Sequence, residues 1–226
     1  MKPYTYLIIN LGCILVPVIF SFIPKRPFYK DWKYFFPANL TVAFLFLVWD
    51  YYFTEMGIWG FNPDYLTGIY LANLPLEEVL FFICIPYACV FGYFAITHYV
   101  KKTPFPNFIK YSSLISAGVL LVLGVLNLDK WYTSLTFISL AIYLIGGILV
   151  KKNQSFEIIS YLAILPFFFA ANGILTGSFL ESPIVWYNDA ENLGIRMITI
   201  PIEDTFYGML MILMNLNLYE WLKKKY

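Results

Sequence analysis

The chain has 226 residues, 60% of them hydrophobic and 21% aromatic, with 13% charged side chains and a formal net charge of +1. Soluble globular domains carry about 25% charged residues. This composition therefore excludes an ordinary water-soluble domain, and no nucleic-acid partner is expected; lipid is the main surrounding medium.

Hydropathy, interrupted by proline, glycine and charge, predicts seven spans, at 3–23, 34–52, 75–98, 108–127, 131–150, 156–176 and 199–221. Each is close to the roughly 20 residues that a bilayer core requires. The first run is too long for a signal-peptide core, has only Lys2 beside it and lacks a small-residue cleavage site, so it reads as a span. Cys13, Cys84 and Cys89 all fall inside apolar segments. There a thiol behaves as a small hydrophobe, and no disulfide framework is implied.

Basic residues fix the expected orientation. Lys25, Arg26, Lys30, Lys33, Lys101, Lys102, Lys110, Lys151, Lys152 and Lys223 to Lys225 gather on one side, against Lys2, Lys130 and Arg196 on the other. By the positive-inside rule the amino terminus is outside and the carboxyl terminus cytoplasmic, which an odd number of spans permits. A multi-pass protein of the cell (inner) membrane is expected.

The sequence repeats internally. An offset of 126 residues lays Phe61-Asn62 on Tyr187-Asn188, Gly68-Ile69 on Gly194-Ile195, and Pro75-Leu76-Glu77-Glu78 on Pro201-Ile202-Glu203-Asp204. Upstream an offset of 122 places Asp50 on Asn172 and Thr54 on Thr176, so the second copy holds four extra residues in its loop. The expectation is an all-α integral membrane protein of seven transmembrane helices in a 3+1+3 parallel-repeat arrangement. Residues 1–100 form the first repeat, 101–130 the linker with the fourth span, and 131–226 the second repeat. Parallel repeats are related by an axis along the membrane normal, which gathers equivalent residues around one cavity. Two bundles without a shared site are the alternative.

Ionisable groups in spans are costly and by default mark function. A proline suits a helix start, and carboxylates two and three residues later meet the positive end of the helix dipole. Glu77, Glu78, Glu203 and Asp204 could therefore be simple caps, but a cap needs one carboxylate and adjacent ones repel. Because neighbours lie about 100° apart on a helix, one of each pair is expected to face the bundle centre while the other orients it or shares its proton. A desolvated pair of acids favours holding a proton.

The surrounding candidates are aromatic: Trp49, Trp59, Phe61, Phe81 and Phe82 in one half, Trp186, Tyr187, Phe206 and Tyr207 in the other. Individually they fit interfacial belts or span packing; as a group beside proton donors they suit a reaction passing through a carbocation. Asp50 with Thr54 and Asn172 with Thr176 end two spans near the same surface, where they could hydrogen-bond the acids, hold a water, or simply finish a helix. Arg196 falls near the second acidic pair, where the first has Tyr70, so the two sites differ electrostatically. With His98 as the single histidine a histidine-rich metal centre is excluded, and no glycine-rich nucleotide fingerprint occurs. Asn188-Asp189-Ala190-Glu191-Asn192 is only a weak magnesium-diphosphate signature. Neither metal nor cofactor is expected.

On these residues the chain resembles the membrane-type lycopene cyclases, whose two homologous domains occur as separate subunits or fused. The likeness rests on Asp50 with Thr54, Gly57-Ile58-Trp59 with Asn62, Pro75-Leu76-Glu77-Glu78, and Pro201-Ile202-Glu203-Asp204, and covers nearly the whole chain. It implies a redox-neutral cyclisation of linear carotenoid ends to β-ionone rings, giving γ- and β-carotene. It further implies a carboxyl among Glu77, Glu78, Glu203 and Asp204 as proton donor and another as base, with Asp50, Thr54, Asn62, Asn172, Thr176 and Asn188 in support. The implied partners are a lipophilic carotenoid within the bilayer, membrane lipid, and other enzymes of the same pathway.

Two other readings compete. A CAAX-type membrane protease also carries Glu-Glu in a span, but its motif wants Arg where Phe82 stands, and its histidines are absent. A 3+1+3 transporter or seven-helix receptor fits the repeat, yet the last span has no internal lysine for a retinal Schiff base and the polar residues gather on one side.

Overall fold

The computed structural model describes residues 2–25, 27–100, 102–103, 105–150 and 154–226; Arg26, Lys101, Lys151 and Lys152 of the charge count lie outside them. The long helices are α1 (Thr5–Phe20), α2 (Trp32–Glu55), α3 (Leu76–Tyr99), α4 (Pro106–Leu126), α5 (Trp131–Leu149), α6 (Ser155–Leu175) and α7 (Ile202–Lys225). Each coincides with a predicted span to within a few residues.

Among the described residues, six of these helices, α1 to α6, are long and apolar enough to cross a membrane. The expectation of seven apolar spans is thus corrected at α7. That helix has 24 residues, as α2 and α3 do, but carries Glu203, Asp204, Asn215, Asn217, Glu220 and three terminal lysines. Its position explains the composition: Leu210, Met211, Ile212, Leu213 and Leu216 are all buried, and a helix enclosed by others needs no continuous apolar outer face.

The repeat is visible in the packing. α1 packs on α3 as α5 packs on α7, while α2 packs on α7 and α6 on α3, so the second helix of each copy leans on the third helix of the other. Asn39 on α2 spans this junction, donating to the Phe82 carbonyl at 3.0 Å and to Asn215 Oδ1 of α7 at 3.1 Å. Such polar links between apolar helices are favourable because the alternative is an amide without a partner.

Short strands close one end. β1 (Trp59–Phe61) pairs antiparallel with β4 (Val185–Tyr187), β2 (Tyr70–Leu71) with β3 (Leu74–Pro75), and β5 (Arg196–Met197) with β6 (Ile200–Pro201). The two hairpins are repeat equivalents, down to the left-handed residues Ala72 (φ 57°) and Ile198 (φ 62°) in their turns. The β1–β4 register sets Gly60 opposite Trp186, its own equivalent, so the two copies meet around that pair. Gly60 suits this place because a Cβ there would stand 2.3 Å from the Trp186 ring.

α4 packs chiefly against α5, and Gly124 permits the approach: a Cβ there would lie 2.7 Å from Ile138 Cγ1 and 3.3 Å from the Ile138 backbone nitrogen. Gly124→Leu is expected to force the two helices apart and to destabilise the protein by about 1–3 kcal/mol, as overpacking does. Thermal unfolding of detergent-purified protein measures the effect.

Candidate active site

Both acidic pairs sit in the first turn of a helix, as the sequence indicated, but the prolines do not. Pro75 and Pro201 end β3 and β6 in extended conformation, immediately before α3 and α7. A proline there stops the hairpin ladder and fixes the direction in which the helix departs. The following carboxylates enter the protein interior, with Glu77 and Glu203 both 0% exposed.

The two members of each pair face different partners. Glu77 Oε1 accepts from the Thr67 backbone N–H at 2.7 Å, and Glu203 Oε1 accepts from the Leu193 N–H at 2.8 Å, an equivalent bond in the second copy. Thr133 adds a hydroxyl donor to Glu203 at 2.6 Å. These two acids tie the loop before each hairpin to the helix start. Their other oxygens are buried with no partner among the described residues.

Glu78 and Asp204, one residue on, line a common cavity of about 50 Å³. Tyr6 donates to Glu78 Oε2 at 2.5 Å. Asp204 receives three donors: Tyr132 at 2.5 Å on Oδ1, with Asn172 at 2.6 Å and Tyr187 at 3.0 Å on Oδ2. The difference is written in the repeat. Phe61 stands in the first copy where Tyr187 stands in the second, and Asp50 where Asn172 stands, so the first copy lacks two of these donors.

Aromatic rings wall the cavity. Trp59 lies 5.1 Å from Tyr132, 5.9 Å from Tyr207 and 6.1 Å from Tyr187, all edge-on, while Tyr132 and Tyr187 stack at 5.8 Å. Phe61 and Phe81 complete this side. Edge and face contacts of this kind present the negative ring faces that stabilise a positive charge.

The other sequence candidates fall around the cavity rather than in it. Asp50 is buried and accepts from Trp59 Nε1 at 2.5 Å, orienting a wall residue instead of bonding Glu78. Thr54 stands one turn after Asp50 on α2, outside the cavity lining. Thr176 bonds Asn172 O and the Thr199 hydroxyl. Asn62 caps a short turn at the Asp64 N–H and reaches Ser182, and Asn188 accepts from the Ala190 N–H; both shape loops. Trp49 stacks on Phe46 and meets Tyr207 edge-on, Phe82 packs on Phe46, and Phe206 on Phe137. Trp186, expected among the stabilising rings, is instead half-exposed over Gly60.

Arg196 does not address the acidic pair. It binds Asp189 at 2.5 Å and the Thr199 carbonyl, with its guanidinium 5.9 Å from the Tyr187 ring centre. Slight burial raises the Asp189 carboxyl, but the bonds from Arg196 and Asn192 outweigh it and hold the group below its ordinary value. Among the described residues no cluster of three or more His, Cys, Asp and Glu is spaced to hold a metal ion.

Tyr6 and Tyr132, which bond Glu78 and Asp204, lie outside every motif of the sequence. A signal existed: the 126-residue offset that aligns the acidic pairs also lays Tyr6 on Tyr132, in the first and fifth spans. Tyrosine is so frequent here, with 19 copies, that one coincidence in an apolar run does not stand out.

A family model described as lycopene cyclase matches the chain twice, over residues 3–96 and 129–222. A bifunctional lycopene cyclase/phytoene synthase of Pyrenophora tritici-repentis (strain Pt-1C-BFP) is 30% identical over 83 residues. That match covers 35% of this chain and 14% of the relative, so this chain spans only a small part of the longer protein. No solved structure matches.

The division within each pair has a measurable consequence. Glu77→Ala and Glu203→Ala each strand a partly buried backbone N–H and are expected to cost about 1–3 kcal/mol of stability. Hydrogen exchange at Thr67 or Leu193 is expected to accelerate accordingly. Glu78→Gln keeps an oxygen for Tyr6 and is expected to unfold within about 1 kcal/mol of the wild type.

Proposed function

The chain belongs to the lycopene cyclase family, and from that membership we propose that it is a lycopene β-cyclase, closing linear ψ-ends of a carotenoid into β-ionone rings. One observation carries this reading: two carboxyl side chains, one from each repeat, line a single cavity walled by aromatic rings. Ring closure requires that set of groups, a proton donor, a proton acceptor and a lining that tolerates a cation without supplying water.

Glu78 is the acid. It has one hydrogen-bond donor, and its Oε1 carries none among the described residues, so little favours its anion. It delivers a proton to C2 of the ψ-end, leaving a tertiary cation at C1. The C5=C6 π-pair attacks C1, closes the ring and moves the positive charge to C5. Asp204, whose three donors favour the carboxylate, takes the proton from C6, and the C–H electron pair becomes the C5=C6 bond of the β-ring. One proton is gained and one is lost, so the product is an isomer of the substrate and the enzyme an intramolecular lyase. The steps need only a carboxyl acid and a carboxylate base, and the sequence carries no glycine-rich nucleotide fingerprint, so conversion is expected without added nucleotide.

The aromatic walls lower the energy of the C1 and C5 cations, by about 0.5–2 kcal/mol for each well-placed ring. Asp50, through Trp59, holds one such ring in place. Tyr6 and Tyr132 position the two carboxyls.

The same reading includes seven membrane-crossing helices in a 3+1+3 arrangement, with α7 crossing as the enclosed member. The repeats are 1–100 and 131–226, α4 lies in the linker, the amino terminus is outside and the carboxyl terminus cytoplasmic. The equivalent packing of α1 on α3 and α5 on α7 supports it.

Expression in a lycopene-accumulating bacterial host tests the activity. Cyclised pigment is expected from the wild type. Glu78→Gln and Asp204→Asn are each expected to lose at least about 100-fold in rate, the usual scale of a general acid or base. Tyr6→Phe and Tyr132→Phe, which keep the carboxyls but loosen them, are expected to lose roughly tenfold, equivalent to about 1.4 kcal/mol. Unchanged pigment from wild-type protein located in the membrane would refute the cyclase. For topology, a phosphatase fused after Tyr226 is expected to be inactive and a cytoplasmic fluorescent reporter active; the reverse pattern rejects the orientation.

A further inference from the structure

A second cavity lies beside the carboxyl site. α2 and α5 both pack on α7 and leave between them an apolar groove of about 340 Å³, bordered by Leu45, Trp49, Ser139, Ile142, Leu210 and Met214. Leu45 and Ile142 are exposed on the outer face of this bundle of apolar helices. Leu210 and Met214 follow Asp204 by six and ten residues on α7, about 9 and 15 Å along its axis at 1.5 Å per residue. On α7 the groove therefore starts about 9 Å along the axis from Asp204 and runs away from it.

Between groove and carboxyl site stands a partition of three rings. Phe46 and Trp49 line or border the groove, Tyr207 lines the site, and the three meet with centroids 5.0 to 5.8 Å apart. Trp49 Nε1 and Tyr207 Oη are both buried without a partner among the described residues. No polar bond of their own therefore anchors these two rings in place. On the equivalent flank of the molecule α1 and α6 touch each other as well as α3.

We propose that this groove holds the polyene tail of the substrate, with Phe46, Trp49 and Tyr207 as the partition its reactive end displaces to reach Glu78 and Asp204. The inference rests on the cyclase reading. It follows from size and chemistry: the carboxyl cavity, at about 50 Å³, has room for a few water molecules and not for a long hydrocarbon chain. A substrate dissolved in the bilayer meets a continuous apolar surface in the groove, and the open side gives direct access from lipid. The groove is uncharged, as a neutral polyene requires.

Steric blocking tests it. In a lycopene-accumulating host, Leu45→Trp and Ile142→Trp are expected to lower ring formation at least tenfold at equal membrane level. Val16→Trp is the control: Val16 is the repeat equivalent of Ile142 and nearly as exposed, 58% against 61%, and its substitution is expected to leave ring formation within twofold. Binding is read apart from turnover by mixing lycopene with purified Glu78→Gln protein in detergent. An induced circular-dichroism band in the visible is expected, and adding Ile142→Trp to that background is expected to remove it. The groove assignment is overturned by ring formation that survives both groove substitutions, by an equal loss in Val16→Trp, or by an induced band that persists with Ile142→Trp. Wild-type protein that leaves lycopene unconverted overturns the cyclase reading and with it the groove's occupant.

Discussion

A carboxyl group that enters the interior of an apolar helical bundle must find its hydrogen-bond donors within the protein, because water and headgroups are out of reach. In this molecule that constraint organises everything near the closed end of the bundle. Four acids begin two helices, and each recruits specific donors: two recruit backbone amides of the preceding loops, and two recruit tyrosine hydroxyls from neighbouring helices. The loops are held because Glu77 and Glu203 need them. α1 and α5 are drawn against α3 and α7 because Tyr6 and Tyr132 must reach Glu78 and Asp204.

Duplication turned one such arrangement into two, and the β1–β4 pairing brought them together. With Gly60 opposite Trp186, equivalent strands close over a cavity to which each copy contributes one acid. Symmetry alone would supply two identical carboxyls, which suits neither proton donation nor proton acceptance in particular. The acids themselves differ, Glu78 against Asp204, and two neighbouring substitutions widen the difference. Tyr187 in place of Phe61 and Asn172 in place of Asp50 give Asp204 donors that Glu78 lacks. The asymmetry of the two acids' surroundings thus comes down to a hydroxyl and an amide, in a copy whose intervening loop is also four residues longer.

The lost symmetry on the flanks works on another scale. α2 and α5 leave an open groove over α7, whereas α1 and α6 touch. A lipid-soluble substrate gains from a route that avoids crossing water, since a long hydrocarbon would lose about 0.8 kcal/mol per methylene on leaving an apolar medium. The polar site at one end and the apolar groove along the helices together suit a molecule that reacts only at its tip.

Composition and periodicity determined a great deal here. Helix positions were legible because a bilayer demands long apolar runs, and the repeat was legible because Pro-x-Glu-acid recurs at a fixed offset. The helical angle between adjacent residues announced that Glu77 and Glu78 must part company. Which acid faces inward was not legible, since that depends on where α1 and α2 lie around α3. Tyr6 and Tyr132 stayed hidden for the same reason: their partners are 72 residues away in sequence and adjacent only in space. Trp186 has the residue type of a wall but the location of a lid over Gly60, and α7 loses its apolar signature because other helices, rather than lipid, surround it. Local physics is written in the chain; the choice of which donors meet which acids belongs to tertiary packing, because hydrogen bonds are settled by distances that no sequence spacing encodes.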